Sequence, residues 1–156
     1  MSREWVGPDR AFTIRYPDDW SFVRRVLRPG ELDSGVLHQM DGALGSVRVT
    51  AWRLKDEPEA VKKFIARMQE LYSKPIKGET DVVDFMQGPI GGKSGFIRSS
   101  RGEEDGTQTF QQMFVVGAGR TVVMANYVVP LRSAGTPKHG EESRTVVEMI
   151  VTATLT

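Results

Sequence analysis

The sequence predicts one α+β domain built on a sheet with a helix over each face. Three observations carry that reading. Alternating apolar and polar segments, separated by turn residues, recur along most of the chain. One segment, Val61 to Tyr72, instead repeats its apolar residues at three-and-four spacing. The run Thr121-Val-Val-Met-Ala-Asn-Tyr-Val-Val129 is nearly continuous in apolar residues, as befits a strand buried on both sides.

The elements follow in order. Ala11–Tyr16 has the period of a half-buried strand, Pro17-Asp18-Asp19 turns it, and Trp20–Val23 resumes an extended path. Arg28–Gly35 reads as a loop. Val36–Met40 and Ser46–Leu54 read as two strands joined through Asp41-Gly42. A helix over 57–73 is expected to be capped by Asp56, with Glu59 three residues on and Pro58 in the first turn. Val61, Phe64, Ile65, Met68, Leu71 and Tyr72 form its buried stripe, and Pro75 and Gly78 stop it. Four strands follow: Asp81–Gln87, Ser94–Arg101, Thr107–Val116 and Thr121–Val129. A second helix is expected from Gly140 to Val151, with Val146, Val147, Ile150 and Val151 inward and Glu142, Arg144 and Glu148 outward. Without a repeat, low-complexity tract or linker, residues 1–156 read as a single domain.

Composition narrows the function classes. At 156 residues, 39% hydrophobic and 26% charged, the chain is that of a folded domain with a real core. With no cysteine, disulfides, thiolate nucleophiles and Cys-based metal centres are excluded. A net charge of +1 argues against nucleic acid as a partner. No run approaches the length of a membrane span, and the first residues hold no signal-like apolar stretch. The expectation is a cytoplasmic protein, unless a leader or lipid anchor has been removed, without stable membrane insertion.

Several motifs tempt and fail. Gly88-Pro-Ile-Gly-Gly-Lys93-Ser94 resembles a phosphate-binding loop, but Gln87 stands where the first glycine is required and a strand follows. Gly117-Ala-Gly119 lacks the third glycine of a dinucleotide loop and lies between strands. His38 and His139 are far apart in sequence, and neither sits in a metal-ligand or triad pattern. The acidic clusters Asp18-Asp19, Glu103-Glu104-Asp105 and Glu141-Glu142 fall in expected turns or at a helix start. No catalytic residue, cofactor or metal ligand is assigned.

What remains is a candidate for partner binding. Arg24, Arg25 and Arg28 are the densest basic cluster, and arginine is enriched at protein interfaces. Trp52 lies on the opposite strand face from Val47 and Val49, where it either packs beneath a helix or anchors an interface.

The segment Phe12-Thr-Ile-Arg-Tyr-Pro-Asp-Asp-Trp20, with the order of elements that follows it, resembles the PsbP-like superfamily. Its members include the PsbP photosystem subunit, a yeast Ran-binding import factor, and bacterial DcrB-like and LpqN-like proteins. The resemblance implies an α/β/α sandwich around a central, twisted antiparallel sheet, and a non-enzymatic, bacterial protein-binding adaptor or chaperone-like module. Two other readings stand beside it. One is a small-molecule or lipid carrier with an apolar pocket between sheet and helix. The other is a hydrolase or isomerase on a cone-shaped α+β fold, with His38 or a carboxylate as base.

Overall fold

In the computed structural model, which describes residues 1–156, ten strands and two helices make up an α+β fold. The strands are β1 (Ser2–Val6), β2 (Phe12–Pro17), β3 (Trp20–Arg24), β4 (Asp33–Gln39), β5 (Ser46–Arg53), β6 (Glu79–Gln87), β7 (Ser94–Glu104), β8 (Thr107–Ala118), β9 (Thr121–Pro130) and β10 (Thr154–Leu155). The helices are α1 (Ala60–Tyr72) and α2 (Pro137–Val151). Seven strands form one antiparallel sheet in the order β3-β4-β5-β9-β8-β7-β6, and β1-β2-β10 form a second of three.

The central position expected for residues 121–129 is where β9 lies, between β5 and β8. Its side chains divide between two cores. Val123, Ala125, Tyr127 and Val129 join the larger core, with Val146, Met149 and Ile150 of α2 and Trp5, Phe12 and Ile14 of the small sheet. Val122 joins the smaller core with Ile65 of α1, against which Phe64, Met68 and Trp52 also pack. Because Val123, Ala125, Tyr127 and Val129 are buried and Met124 and Val128 on the other face are half-buried, both sets of positions are apolar apart from Asn126, which is why the sequence does not alternate there.

The small sheet was not expected, and it shares with α2 the face that the sequence assigns to a helix alone. β1 escapes a period-two reading because Trp5 is its only buried residue. β10 has only two residues, too few to show any period.

The helix ends also differ. Glu59, in the left-handed region at φ 62°, precedes the first residue of α1, and no side chain caps that end. A helix running from 57 cannot pass through that conformation, so the Asp56–Glu59 box does not form. In α2, Thr136 is the cap, accepting from the His139 amide at 3.2 Å, with Pro137 in the first turn. The helix therefore starts before Gly140. Glu142 is buried and Val151 is partly exposed, with Met149 taking the inward place assigned to Val151. Strands β7 and β8 run past their expected limits because Asp105 (φ 50°) and Gly106 (φ 79°) alone make the turn between them. Positive φ at both central residues matches the twist of a two-residue hairpin.

Candidate partner-binding site

The arginine cluster straddles the end of β3, the outermost strand on one side of the large sheet. Its three members have different surroundings. Arg24 faces Asp33, the first residue of β4, with Nη1 2.9 Å from each carboxylate oxygen. The same carboxylate accepts the indole N–H of Trp5 at 3.0 Å and the Ser34 amide at 2.9 Å. The Phe22 ring lies 4.4 Å from that of Trp5 and 5.6 Å from the Arg24 guanidinium. Asp33 is buried, so Arg24 balances a charge that would otherwise be costly in the interior.

Arg25 and Arg28 face no carboxylate and are exposed. Between them stand Val26, 95% exposed, and Leu27, 47% exposed. The backbone that presents them is braced. The Arg25 amide continues the β3–β4 ladder to the Ser34 carbonyl at 3.0 Å. Arg28-Pro-Gly-Glu31 then closes as a β-turn, with the Glu31 amide 3.1 Å from the Arg28 carbonyl and Gly30 at φ 87°. Proline second and a positive-φ glycine third are what such a turn requires. The Glu31 carboxylate accepts the Arg28 amide at 2.7 Å, and the Leu32 amide returns to β5 at the Ala51 carbonyl. Two apolar side chains are thus held in water between two unpaired guanidinium groups.

Trp52 lies elsewhere, half-buried beneath α1 with its ring 5.7 Å from that of Phe64. The structure does not bring it to the arginine cluster. The sequence does not single out the apolar pair Val26-Leu27, whose signal is two branched aliphatics just before the expected loop, flanked by arginines.

The histidines do not converge. His38 lies on β4 across from Ser21, whose Oγ is 2.9 Å from Nε2. Its Nδ1 is 2.7 Å from the Gln39 carbonyl, so Nδ1 carries the proton and Nε2 accepts from the hydroxyl. Leu37 beside it points into the larger core, which puts His38 on the other face. His139 is at the start of α2, on the α2 face, stacked at 5.8 Å on Tyr127.

The remaining charged side chains inside the fold hold its elements together. Gly91 (φ 57°) and Gly92 (φ 79°) form a two-residue turn, and the Lys93 amine reaches the Val151 carbonyl at the end of α2 at 2.9 Å. Burial pushes that amine below its ordinary pKa. Arg98 of β7 does the same for α1, donating to the Tyr72 carbonyl at 2.6 Å and the Lys74 carbonyl at 3.0 Å. It is paired in the interior with Glu79, which also accepts the Ser100 hydroxyl at 2.7 Å. Burial raises the Glu79 pKa, but hydrogen bonds from Arg98, the Ile76 amide and Ser100, with the Arg98 charge, outweigh it and hold the carboxyl below its ordinary value. Glu142 is the clearest departure from expectation. Placed outward by the helical pattern, it is 1% exposed and accepts the Tyr127 hydroxyl at 2.8 Å and the amides of Leu44 and Gly45 at 3.1 and 3.0 Å. Burial, then the bond to Glu142 and its charge, hold the Tyr127 phenol far above its usual range.

A cleft of about 510 Å³ runs between α1 and the glycine turn, with Lys62, Gln69, Gln87, Lys93 and Ser94 in its wall. No helix is long and apolar enough to cross a membrane.

No family model matches the chain, and no curated protein matches it. Solved structures do. LpqN, described as involved in cell envelope biogenesis of Mycobacterium tuberculosis, superposes with a TM-score of 0.59 at 14% identity over 100% of this chain and 91% of its own. Cyanobacterial PsbP (CyanoP) from Synechocystis sp. PCC 6803 gives 0.57 at 8% identity, over 99% and 92%. The fold is PsbP-like. A protein from Bacteroides thetaiotaomicron VPI-5482 gives 0.68 at 19% identity over 99% of this chain. This chain spans about half, 48%, of that protein's length. The expected likeness is therefore present over the whole chain, at the level of the fold.

Proposed function

We propose that this PsbP-like chain is a non-enzymatic protein-binding module on an α/β/α sandwich, which docks a partner through the β3–β4 loop. The observation that carries the reading is the braced display of Val26 and Leu27 between Arg25 and Arg28. An exposed apolar pair held between a strand end and a closed turn loses little entropy on docking, and unpaired guanidinium groups favour a cleft with an acidic rim. The arginine cluster divides in function: Arg24 supports the Asp33 site, and Arg25 and Arg28 face outward. The cleft beside α1 has two lysines and two glutamines in its wall and only Ile65 and Ala66 as hydrophobic residues, so it is not the apolar pocket a carrier needs.

The test is a pull-down from native lysate with Arg28→Ala and with Val26→Ser/Leu27→Ser. Both variants are expected to melt near wild type, since exposed positions away from special features change stability by less than about 0.5 kcal/mol. Both are expected to lose the captured partner, and the wild-type capture to weaken at high salt. Undiminished capture by both variants refutes the loop as the docking site.

A further inference from the structure

The two edges of the large sheet are built differently. β6 carries two register shifts, between Glu79 and Asp81 and between Val82 and Asp84. Irregularities of this kind, with acidic residues beside them, spoil the row of peptide groups that another strand would need. β3 has no such interruption. Trp20 to Arg24 pair residue for residue with Gln39 to Gly35, and no strand lies on the outer side. The Met40 amide meets the Asp19 carbonyl at 2.8 Å and the Arg25 amide meets the Ser34 carbonyl at 3.0 Å. Alternation along an antiparallel ladder then makes Asp19, Ser21, Val23 and Arg25 the residues bonded to β4. Trp20, Phe22 and Arg24 turn their N–H and C=O groups outward.

The geometry points to a second copy of this chain as the occupant of that edge, pairing β3 with β3 antiparallel about a two-fold axis at Phe22. Outward groups must meet outward groups, and this register does so: Phe22 faces its own counterpart, and Trp20 faces the second copy's Arg24. One step further out, Arg25 of each copy faces Asp19 of the other. Both side chains are exposed, and neither has an ion-pair partner within its own chain. On the strand face away from the larger core, Val23, 58% exposed, comes opposite the second copy's Ser21. Charge complementarity, the ladder phase and the two-fold symmetry thus select the same register. The resulting sheet is continuous through both protomers. A five-residue strand buries little surface, so the dimer is weak and depends on concentration.

This inference goes beyond the proposed partner binding and is tested separately from it, because Arg28 is needed only for docking and Asp19 only for the dimer. Sedimentation velocity over a wide concentration range reads the association, and amide exchange reads the strand. Wild type is expected to dimerise, with slower exchange at Trp20, Phe22 and Arg24 as concentration rises. Asp19→Arg and Arg25→Asp are each expected to weaken the dimer about tenfold or more, and the double swap to restore it. Arg28→Ala should leave it unchanged. A wild type that stays monomeric at the highest concentration overturns the proposal. So does a dimer whose three outward amides exchange as in the monomer, or a double swap that fails to recover it. If these outcomes appear while Arg28→Ala still loses the partner, the docking reading stands and the dimer does not.

Discussion

Trp20 and Trp5 are both nearly inaccessible, but they are held in different ways. Trp20 returns the chain into the larger core after the Asp18-Asp19 turn and is fixed by packing alone. Its replacement by alanine is expected to lower stability by about 3–5 kcal/mol, the range for deleting a buried large aromatic, read as a shift in the urea midpoint. An unchanged midpoint would show the ring to be dispensable. Trp5 adds a hydrogen bond to Asp33, so Trp5→Phe tests the polar part separately. It should cost about 1–3 kcal/mol for removing one donor from a buried carboxylate that keeps Arg24 and the Ser34 amide. Glu142 makes the same point on α2. Its three donors lie on β9 and on the β4–β5 connection, so Glu142→Ala strands two part-buried amides and a buried phenol at once.

At the scale of elements, each helix is finished by a cation from outside it: Arg98 reaches the end of α1 and Lys93 the end of α2. Helix C-termini present carbonyls without intrahelical partners and carry partial negative charge, so a buried cation there satisfies both conditions. The start of α1 has no comparable support, because Glu59 holds a positive φ and caps nothing. Glu59→Gly removes the steric cost of that conformation and is expected to raise stability by about 1 kcal/mol. A lower melting temperature for this variant would mean that the Glu59–Lys62 ion pair, 3.4 Å long, outweighs the backbone strain. At Gly117 of β8, a side-chain carbon would stand 2.5 Å from Val61 of α1, so the glycine that imitates a dinucleotide motif is there for close helix–sheet approach.

For the whole molecule, the Arg98–Glu79 pair links α1, β6 and β7, and it sets part of the response to acid. Because the fold holds Glu79 below its ordinary pKa of 4.5, the stability it contributes is complete above that value and drains away as pH falls through the lower, folded one. Glu79→Gln leaves Arg98 unpaired in the interior and is expected to cost about 3–5 kcal/mol near neutral pH. The gap between variant and wild type should narrow on acidification below about pH 4.5, as the wild-type carboxyl protonates too. A gap of constant size across the acid range would place the linkage elsewhere. Much of this architecture was legible in the residues. Alternation located β2 to β8, the continuous apolar run placed β9 at the centre, and the three-and-four stripe found α1, since burial on one or both faces writes directly into residue type. The second sheet was not legible, because β1 buries one residue and β10 has two, too little for any period to show. Nor was the inward turn of Glu142, whose partners at Leu44, Gly45 and Tyr127 are brought to it only by folding. The arginines could be read as a cluster, but their division could not. Arg24 is tied to Asp33 while Arg25 and Arg28 stay free because the β3–β4 register, a product of tertiary pairing, decides which guanidinium meets a buried carboxylate.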